Sequence, residues 1–209
     1  MGFFFQLLAA AARVEVPVDG STGVWLKEGA TVISSGMRMT GAVVSSGQSQ
    51  RVYNRGVAAS CITVGGTQYI SSGGTASGCT CSAGQMHVSA GGLIVSAVGI
   101  TGATYVSAGG YASSLDFHAG YGGAVYSTGV VNGIVLSGNN ARITVFHGGT
   151  AYNATASAGG RLYISGYLSG ATINTNGSLT VYSGGTALAV TSNAGAVVTV
   201  AAGGYIEYA

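Results

Sequence analysis

Histidines and carboxylates are the side chains most often used for proton transfer, and this chain has three histidines and five acidic residues. Asp116 and His118 are two residues apart, so on a β-strand they would lie on the same face. Ser113 and Ser114 precede them, and a hydrolase can be imagined from these groups. No nucleophile elbow is present, and nearness in sequence does not establish a catalytic triad. We therefore expect a polar strand face here, with no catalytic residues.

The three cysteines, Cys61, Cys79 and Cys81, are the other reactive groups. The CTC motif is not a CxxC, and no histidine stands beside it at zinc-site spacing, so we predict neither a metal nor a cofactor. The spacing between Cys61 and Cys79 equals one period of the internal repeat described below. A disulfide between them and simple filling of small buried positions are both open, and the choice depends on the elements that carry them.

The composition is typical of an all-β protein. The chain has 209 residues, of which 47% are hydrophobic, 6% are charged, 38 are glycine and one is proline. Such a chain is too apolar for a disordered protein, and it lacks the proline and the glycine period of collagen. No apolar stretch is long enough to cross a membrane as a helix, so we expect no transmembrane segment. A net charge of +2 is too small for a nucleic-acid interface, and we expect no nucleic-acid partner.

A Gly-Gly pair recurs through the sequence and defines an internal repeat. The second glycine of each pair, or the residue in its place, is the anchor: Met37, Gly56, Gly74, Gly92, Gly110, Gly129, Gly149, Gly166, Gly185 and Gly204. The residue four positions before each anchor is aliphatic: Ile33, Val52, Ile70, Val88, Val106, Val125, Val145, Leu162, Val181 and Val200. The residue two positions after it is also apolar, from Met39 to Ile206.

The period of the repeat is too short for a helix pair or a propeller blade, because successive anchors are about 18–19 residues apart. It suits one turn of a β-solenoid. Residues 24–209 are predicted to form this solenoid, with about ten turns that bury aliphatic columns and bend at glycines. In the second half of each turn the apolar position is assigned to Ile62, Cys81, Phe117, Val135 and Ala156. That half is less regular than the first.

Residues 1–23 form a separate segment with an apolar start. We predict that it is a cap or an assembly element, in which Phe3, Phe4, Phe5, Leu7 and Leu8 cover or lock an end of the solenoid. A truncated remnant of a secretory signal is the alternative, although basic residues do not precede the apolar stretch.

Aromatic residues also recur at one position of the repeat, three residues before the anchor. Tyr126, Phe146, Tyr163 and Tyr182 are predicted to form an outward stripe on four successive turns. Stacked rings stabilise a sheet by themselves, and a flat aromatic surface also suits sugars or a neighbouring molecule. The stripe is therefore a candidate lateral contact. Outward threonines are scattered, which argues against ice binding.

The segments GGTQYISSGGTASG, YVSAGGYAS and VYSGGTALAV resemble the repeats of AIDA-type autotransporter passengers, which are self-associating bacterial adhesins. The resemblance covers roughly residues 24–209. It implies a single-stranded, right-handed parallel β-helix on the cell surface or outside the cell, with a role in adhesion, autoaggregation and biofilm formation. Family members can carry heptose on serines, and the matching positions here are Ser34, Ser35, Ser71 and Ser72. Ser89, Ser107 and Ser183 are weaker matches.

The sequence thus predicts a non-enzymatic structural or adhesive solenoid that associates with itself, end to end into filaments. Cell-surface glycans or receptors are further candidate partners. The alternative is a fragment of an O-heptosylated autotransporter adhesin that acts through its sugars. The three cysteines and the weak signal depart from the family pattern.

Overall fold

The computed structural model describes residues 13–15, 24–27, 30–33, 36–120 and 122–209. These residues form β-strands joined by tight turns, and they include no helix that could span a membrane. The predicted assembly residues from Phe3 to Leu8, and Ser34 and Ser35, lie outside the described residues.

Two sheets contain the described strands. The first sheet consists of β2 (Val24–Lys27), β3 (Ala30–Ile33), β6 (Ser49–Val52), β9 (Thr67–Ile70), β11 (Gln85–Val88), β13 (Ala103–Val106), β15 (Gly123–Val125), β17 (Arg142–Val145), β19 (Arg161–Ile164), β21 (Ser178–Val181) and β23 (Val197–Val200). The second consists of β1 (Arg13–Glu15), β4 (Arg38–Thr40), β5 (Val43–Ser45), β7 (Val57–Ala59), β8 (Ile62–Val64), β10 (Thr75–Cys81), β12 (Leu93–Gly99), β14 (Tyr111–Phe117), β16 (Val130–Leu136), β18 (Thr150–Ala156), β20 (Tyr167–Ile173), β22 (Thr186–Ser192) and β24 (Tyr205–Tyr208).

Successive turns of the chain stack in parallel, which confirms the predicted β-solenoid. From β3 to β23 and from β4 to β24, each strand pairs with the equivalent strand of the next turn, so the described chain makes about nine turns. We call each turn a rung. The first rung also pairs with antiparallel strands, β2 on β3 and β1 on β4. The right-handed sense of the coil remains a prediction.

The aliphatic columns lie inside the solenoid, as the repeat predicts. Val88, Val106 and Val145 are buried, and so are Ala76 and Ile94 in the column after the anchor. Leu162 is also buried but belongs to a different column, because it pairs with Ile143 and Leu179. The corner before Gly166 is two residues shorter than its neighbours. Ile164 therefore takes the position opposite Val145 that the sequence analysis assigned to Leu162.

In the second half of the turn, two of the inward positions predicted from the sequence are wrong. Each long strand has a residue with positive φ in its middle, such as Gly78 (φ 60°) or Ser96 (φ 58°), and this left-handed bend shifts the inward–outward alternation by one residue. Ile62 and Val135 consequently point outward, each about 40% exposed, whereas Cys81, Phe117 and Ala156 are buried as predicted. This half of the turn has a further buried column, which the sequence analysis did not identify. It lies two residues before the column of Cys81, Phe117 and Ala156 and contains Cys61, Cys79, Ala97, Leu115, Ile134 and Ala154.

The paired glycines at the corners have two different functions. The first glycine has positive φ, as at Gly73 (φ 81°), and a residue with a side chain would be strained in this backbone conformation. The second has no room for a side chain: a Cβ on Gly74 would overlap the carbonyl oxygen of Val52 and lie 2.7 Å from the amide nitrogen of Tyr53, both on the rung below. The pair therefore combines a sharp turn with close stacking.

Candidate functional site

The solenoid presents three outward faces. Face 1 is the outer side of the first sheet. Face 2 consists of the outward residues before the left-handed bend in the long strands, and face 3 of those after it. Parallel, in-register pairing places chemically similar residues of consecutive rungs about 4.8 Å apart on each face. The candidate sites are therefore columns of side chains.

Face 1 carries a continuous stack of side chains across six rungs, which we call the face 1 stack: Arg51, Tyr69, His87, Tyr105, Tyr126 and Phe146. Successive ring centroids are 5.3, 4.8, 6.5 and 5.1 Å apart from Tyr69 to Phe146, and the last two rings are parallel within 4°. The guanidinium carbon of Arg51 lies 5.6 Å from the centroid of Tyr69, within the range of a cation–π interaction.

The predicted stripe of four aromatic residues divides into two pairs. Tyr126 stacks on Phe146, and Tyr163 stacks on Tyr182 with centroids 6.2 Å apart. Tyr163 does not share the position of the other three residues, because it pairs with Thr144 and Thr180. The cause is the shortened corner before Gly166.

Sequence reasoning missed Tyr69, His87 and Tyr105, which occupy one position on three consecutive strands. All three stand five residues before an anchor, and this shared spacing could have identified them. The stack then moves two residues along the chain, because Ala124 stands opposite Tyr105 and the ring of Tyr126 fills the space instead.

Stacking determines which part of each ring is free for recognition. A ring inside the stack has neighbours on both faces, so its edge and its hydroxyl group are what remain for a partner. Ring edges carry partial positive charge, and tyrosine hydroxyls donate and accept hydrogen bonds. Burial lowers the pKa of His87, and its Nε2 lies 3.0 Å from Oε1 of Gln85. The face 1 stack therefore favours contact with polar acceptors over stacking of a flat ligand.

Face 3 brings together an acid, a histidine and a serine. Nε2 of His118 lies 3.4 Å from Oδ2 of Asp116, and Nδ1 of His118 lies 3.2 Å from Oγ of Ser137 on the next rung. The serine is not one of those considered from the sequence: the Ser113 hydroxyl donates to the carbonyl oxygen of Ile94 at 3.4 Å, and Ser114 is the left-handed bend residue. The third group comes from the next rung, 19 residues or one repeat period further along the chain.

This trio has the connectivity of a catalytic triad on an open strand surface. The side chains of His118 and Asp116 are 50% and 39% exposed, so water screens their interaction. The amide nitrogen of Ser137 already donates to the carbonyl oxygen of Phe117 at 3.1 Å, and it cannot serve as an oxyanion donor. The trio thus resembles a hydrogen-bonded polar face more closely than an active site.

The predicted glycan acceptors that the structure describes lie at the first corner of the third rung. Ser71 is half-buried and its amide donates to the carbonyl oxygen of Val52, whereas Ser72 is exposed and has a φ of 45°. Ser72 is therefore the more accessible of the two hydroxyl groups.

All three cysteines are buried free thiols. Cys61 and Cys79 stack directly on consecutive rungs, because Thr80 pairs with Ile62 and its amide donates to the carbonyl oxygen of Cys61 at 2.8 Å. Burial raises the pKa of Cys81 to about 11. Among the described residues, no three histidine, cysteine or acidic side chains are grouped so that they could hold a metal ion.

Comparison with known proteins places this geometry in a class. No protein-family model and no curated protein matches the chain. A crystal structure of a hyper-glycosylated fragment of TibA (residues 55–350), glycosylated by TibC, matches with a TM-score of 0.70 and 28% identity, over 85% of this chain and 77% of that one. That fragment is an autotransporter adhesin passenger, so the similarity to AIDA-type passengers predicted from the repeats is confirmed. The chain has an adhesin-like β-solenoid fold.

Proposed function

We propose that this protein is a non-enzymatic, self-associating β-solenoid that serves as a structural or adhesive element of the bacterial cell surface or extracellular matrix. The observation that carries the proposal is the continuous parallel ladder, shared in fold with an adhesin passenger and lined outside by stacked columns. Low charge supports it, since 7 basic and 5 acidic residues give little repulsion between copies.

End-to-end contact is the mode of association that a parallel ladder supports, because the strands of one copy can continue the ladder of another. Val200 is 40% exposed, whereas Val181 and Val145 in the same interior column are fully buried. A further strand layer on β23 and β24 would cover this surface and satisfy the sheet edge. We propose that a second copy provides it, with the apolar segment around Phe3 at the joint. Repetition of such a contact builds a filament.

Two lysine variants test where the copies meet. Val200→Lys places a charge in the exposed end of the interior column, and Val64→Lys places one on face 3, where Val64 is 42% exposed. We expect wild type and Val64→Lys to form oligomers in light scattering and filaments in electron microscopy, and Val200→Lys to stay monomeric. A monomeric wild type would refute self-association, and loss of oligomers in Val64→Lys alone would refute the end-to-end mode.

Removal of residues 1–12 tests the segment assigned to the joint. If Phe3, Phe4, Phe5, Leu7 and Leu8 lock the contact, the truncated chain should keep its β-sheet circular dichroism and lose the higher oligomers. Unchanged oligomers would remove the segment from the proposal and leave the strand edge as the contact.

Glycosylation is the second candidate, favoured by the hyper-glycosylated state of the TibA fragment and by the exposed Ser72. In this version the chain is part of an O-heptosylated adhesin that contacts cell-surface glycans or receptors through its sugars. Protein purified from its natural host should then show mass additions in heptose-sized steps, mapped to Ser34, Ser35, Ser71 or Ser72. An unmodified intact mass would refute this version and leave bare assembly.

The absence of catalysis is also a proposal with a direct test. We expect ester and peptide substrates to be turned over no faster by wild type than by His118→Ala or Ser137→Ala. Turnover by wild type that both substitutions abolish would make the Asp116–His118–Ser137 trio an active site and overturn the non-enzymatic proposal.

A further inference from the structure

The second and third rungs contain a buried polar cluster that neither assembly nor glycosylation uses: Gln50, Cys61, Gln68 and Cys79. Gln68 stacks on Gln50 and donates to its side-chain oxygen through Nε2. Nε2 of Gln50 lies 3.9 Å from Sγ of Cys61. All four side chains are at most 1% exposed. The cluster therefore has two amides on one wall of the interior and two thiols on the other.

Each thiol lies close to backbone carbonyl oxygens: Sγ of Cys61 is 3.5 Å from the carbonyl oxygen of Ala59, and Sγ of Cys79 is 3.6 Å from that of Ala58. The neighbouring Cys79 side chain is the main cause that lowers the pKa of Cys61 to about 7, and the Cys61 side chain together with burial raises the pKa of Cys79. Cys61 is therefore the more acidic of the two thiols in the folded protein. Cys81, two residues further along β10, stacks between Thr63 and Gly99 and has no cysteine in its column.

Strand geometry puts the pair within reach of a covalent bond. Equivalent residues on neighbouring parallel strands have Cα atoms about 4.8 Å apart, and disulfides span about 4.4 to 6.8 Å. Both side chains point into the same interior column, so their Cβ atoms are also about 4.8 Å apart. Disulfides have Cβ atoms about 3.5 to 4.5 Å apart, so the bond requires the two rungs to approach by about 0.3 Å or more at this point.

We propose that Cys61 and Cys79 form a disulfide that links the second rung to the third. The thiolate of one of the two cysteines attacks one sulfur of a small disulfide such as oxidised glutathione, which releases a thiolate and leaves a mixed disulfide. The thiol of the other cysteine loses its proton, attacks the protein sulfur of the mixed disulfide and expels the second glutathione thiolate. The protein loses two electrons and two protons, and one molecule of oxidised glutathione gains them.

The position of the link coincides with two buried polar atoms that have no hydrogen-bond partner. Oε1 of Gln68 and Oγ1 of Thr63 are buried without a hydrogen-bond partner, and both belong to the rungs that the disulfide would join. Such groups destabilise a fold because they give up water and receive no replacement. The link closes a loop of one rung, which restricts the unfolded chain and so stabilises the fold.

Burial determines when the bond can form. Because both thiols are enclosed, an oxidant reaches them before the rungs close and not afterwards. The reaction therefore belongs to folding in an oxidising compartment, consistent with the proposed surface location. Folded, reduced protein should resist the same oxidant until it is unfolded.

The experiment compares wild type with Cys61→Ala, Cys79→Ala and the matched control Cys81→Ala, each refolded with a mixture of oxidised and reduced glutathione. Thiols are then alkylated in denaturant. We expect one free thiol in wild type, none in Cys81→Ala and two in the other variants. Chymotryptic cleavage after Tyr69 separates Cys61 from Cys79, so the linked peptides identify the bond in Cys81→Ala.

A stability readout keeps the proposal testable if a variant folds poorly. Reduction should lower the thermal midpoint of oxidised wild type and of Cys81→Ala by about 6 to 12 °C, and should leave Cys61→Ala unchanged. Three free thiols in refolded wild type, or a bond that includes Cys81, would overturn the proposal. Either result leaves the assembly proposal untouched, because the refolded samples are assayed for oligomers separately.

Discussion

The interior of the solenoid near Gln50 and Gln68 differs from the interior near Leu162 and Leu179, although strand register puts all four residues in one column. Along that column the residues are Gln50, Gln68, Met86, Thr104, Gly123, Ile143, Leu162 and Leu179. The early rungs enclose amides and thiols, and the late rungs enclose aliphatic groups. Parallel, in-register backbone pairing is the same in both regions, although the corner before Gly166 is two residues shorter.

This difference separates what specifies the fold from what stabilises it. Because both interiors sit inside the same ladder, the coil depends on in-register backbone pairing, corner glycines and the size of the inward side chains. The chemistry of those side chains sets local stability, which in a repeat protein is a sum over rungs and their interfaces. We therefore expect the early rungs to open more readily than the late ones.

The largest expected effect on stability comes from placing a polar side chain in the aliphatic region. Leu162→Gln buries an amide among Ile143, Leu179 and their neighbours, where no partner for it exists among the described side chains. We expect a loss of about 4 kcal/mol in the free energy of unfolding, measured by urea denaturation. Leu162→Met, of similar volume, should lose less than about 1.5 kcal/mol. Equal losses for the two variants would show that volume, and not polarity, governs this position.

The reverse exchange in the polar region should be harmless only when made in pairs. Gln68→Met leaves the side-chain oxygen of Gln50 without its donor and should cost about 2 kcal/mol. Gln50→Met combined with Gln68→Met removes both amides, including the unpartnered Oε1 of Gln68, and should be at least as stable as wild type. A double variant less stable than wild type would show that the amide pair is a net stabiliser.

These two regions also show where sequence reasoning worked and where it failed. The glycine pairs and the valine column predicted the stacked rungs, because both have to recur once per turn. The second half of the turn was assigned wrongly at Ile62 and Val135, since the left-handed bend is made by serine, asparagine and alanine as well as glycine and has no fixed residue type. Ser137 was missed because contacts between rungs depend on register.

The pH dependence of the stability of the reduced protein should also distinguish the polar region from the aliphatic region. The pKa of Cys61 falls from 9.0 to about 7 on folding, so its ionisation stabilises the fold above pH 9 and this contribution is lost as pH falls through about 7. Stability should rise by about 1 to 2 kcal/mol between pH 7 and pH 9. At higher pH it should fall, because the pKa of Cys79 is raised. Cys61→Ala should lack the rise, and a rise retained in this variant would assign it to another group.

The smallest effect concerns a corner on the boundary between the two regions. Thr128 has a φ of 55° where the neighbouring corners have Gly109 and Gly148, and a β-branched residue is strained in that conformation. Thr128→Gly should therefore raise the free energy of unfolding by about 1 kcal/mol. Thr180→Gly, on a regular strand, is the control and should be destabilising. A loss of stability in Thr128→Gly would mean that its side chain makes contacts that outweigh the strain.

The parallel coil itself is tested most directly by distances between spin labels on one outward column of face 3. In a cysteine-free background, labels at positions 64 and 137 are four rungs apart, and labels at positions 64 and 193 are seven rungs apart. Pulsed electron paramagnetic resonance should give about 19 Å and about 34 Å between the two labelled backbone positions, a rise of about 4.8 Å for each rung. Distances that do not grow with the number of rungs would contradict the solenoid.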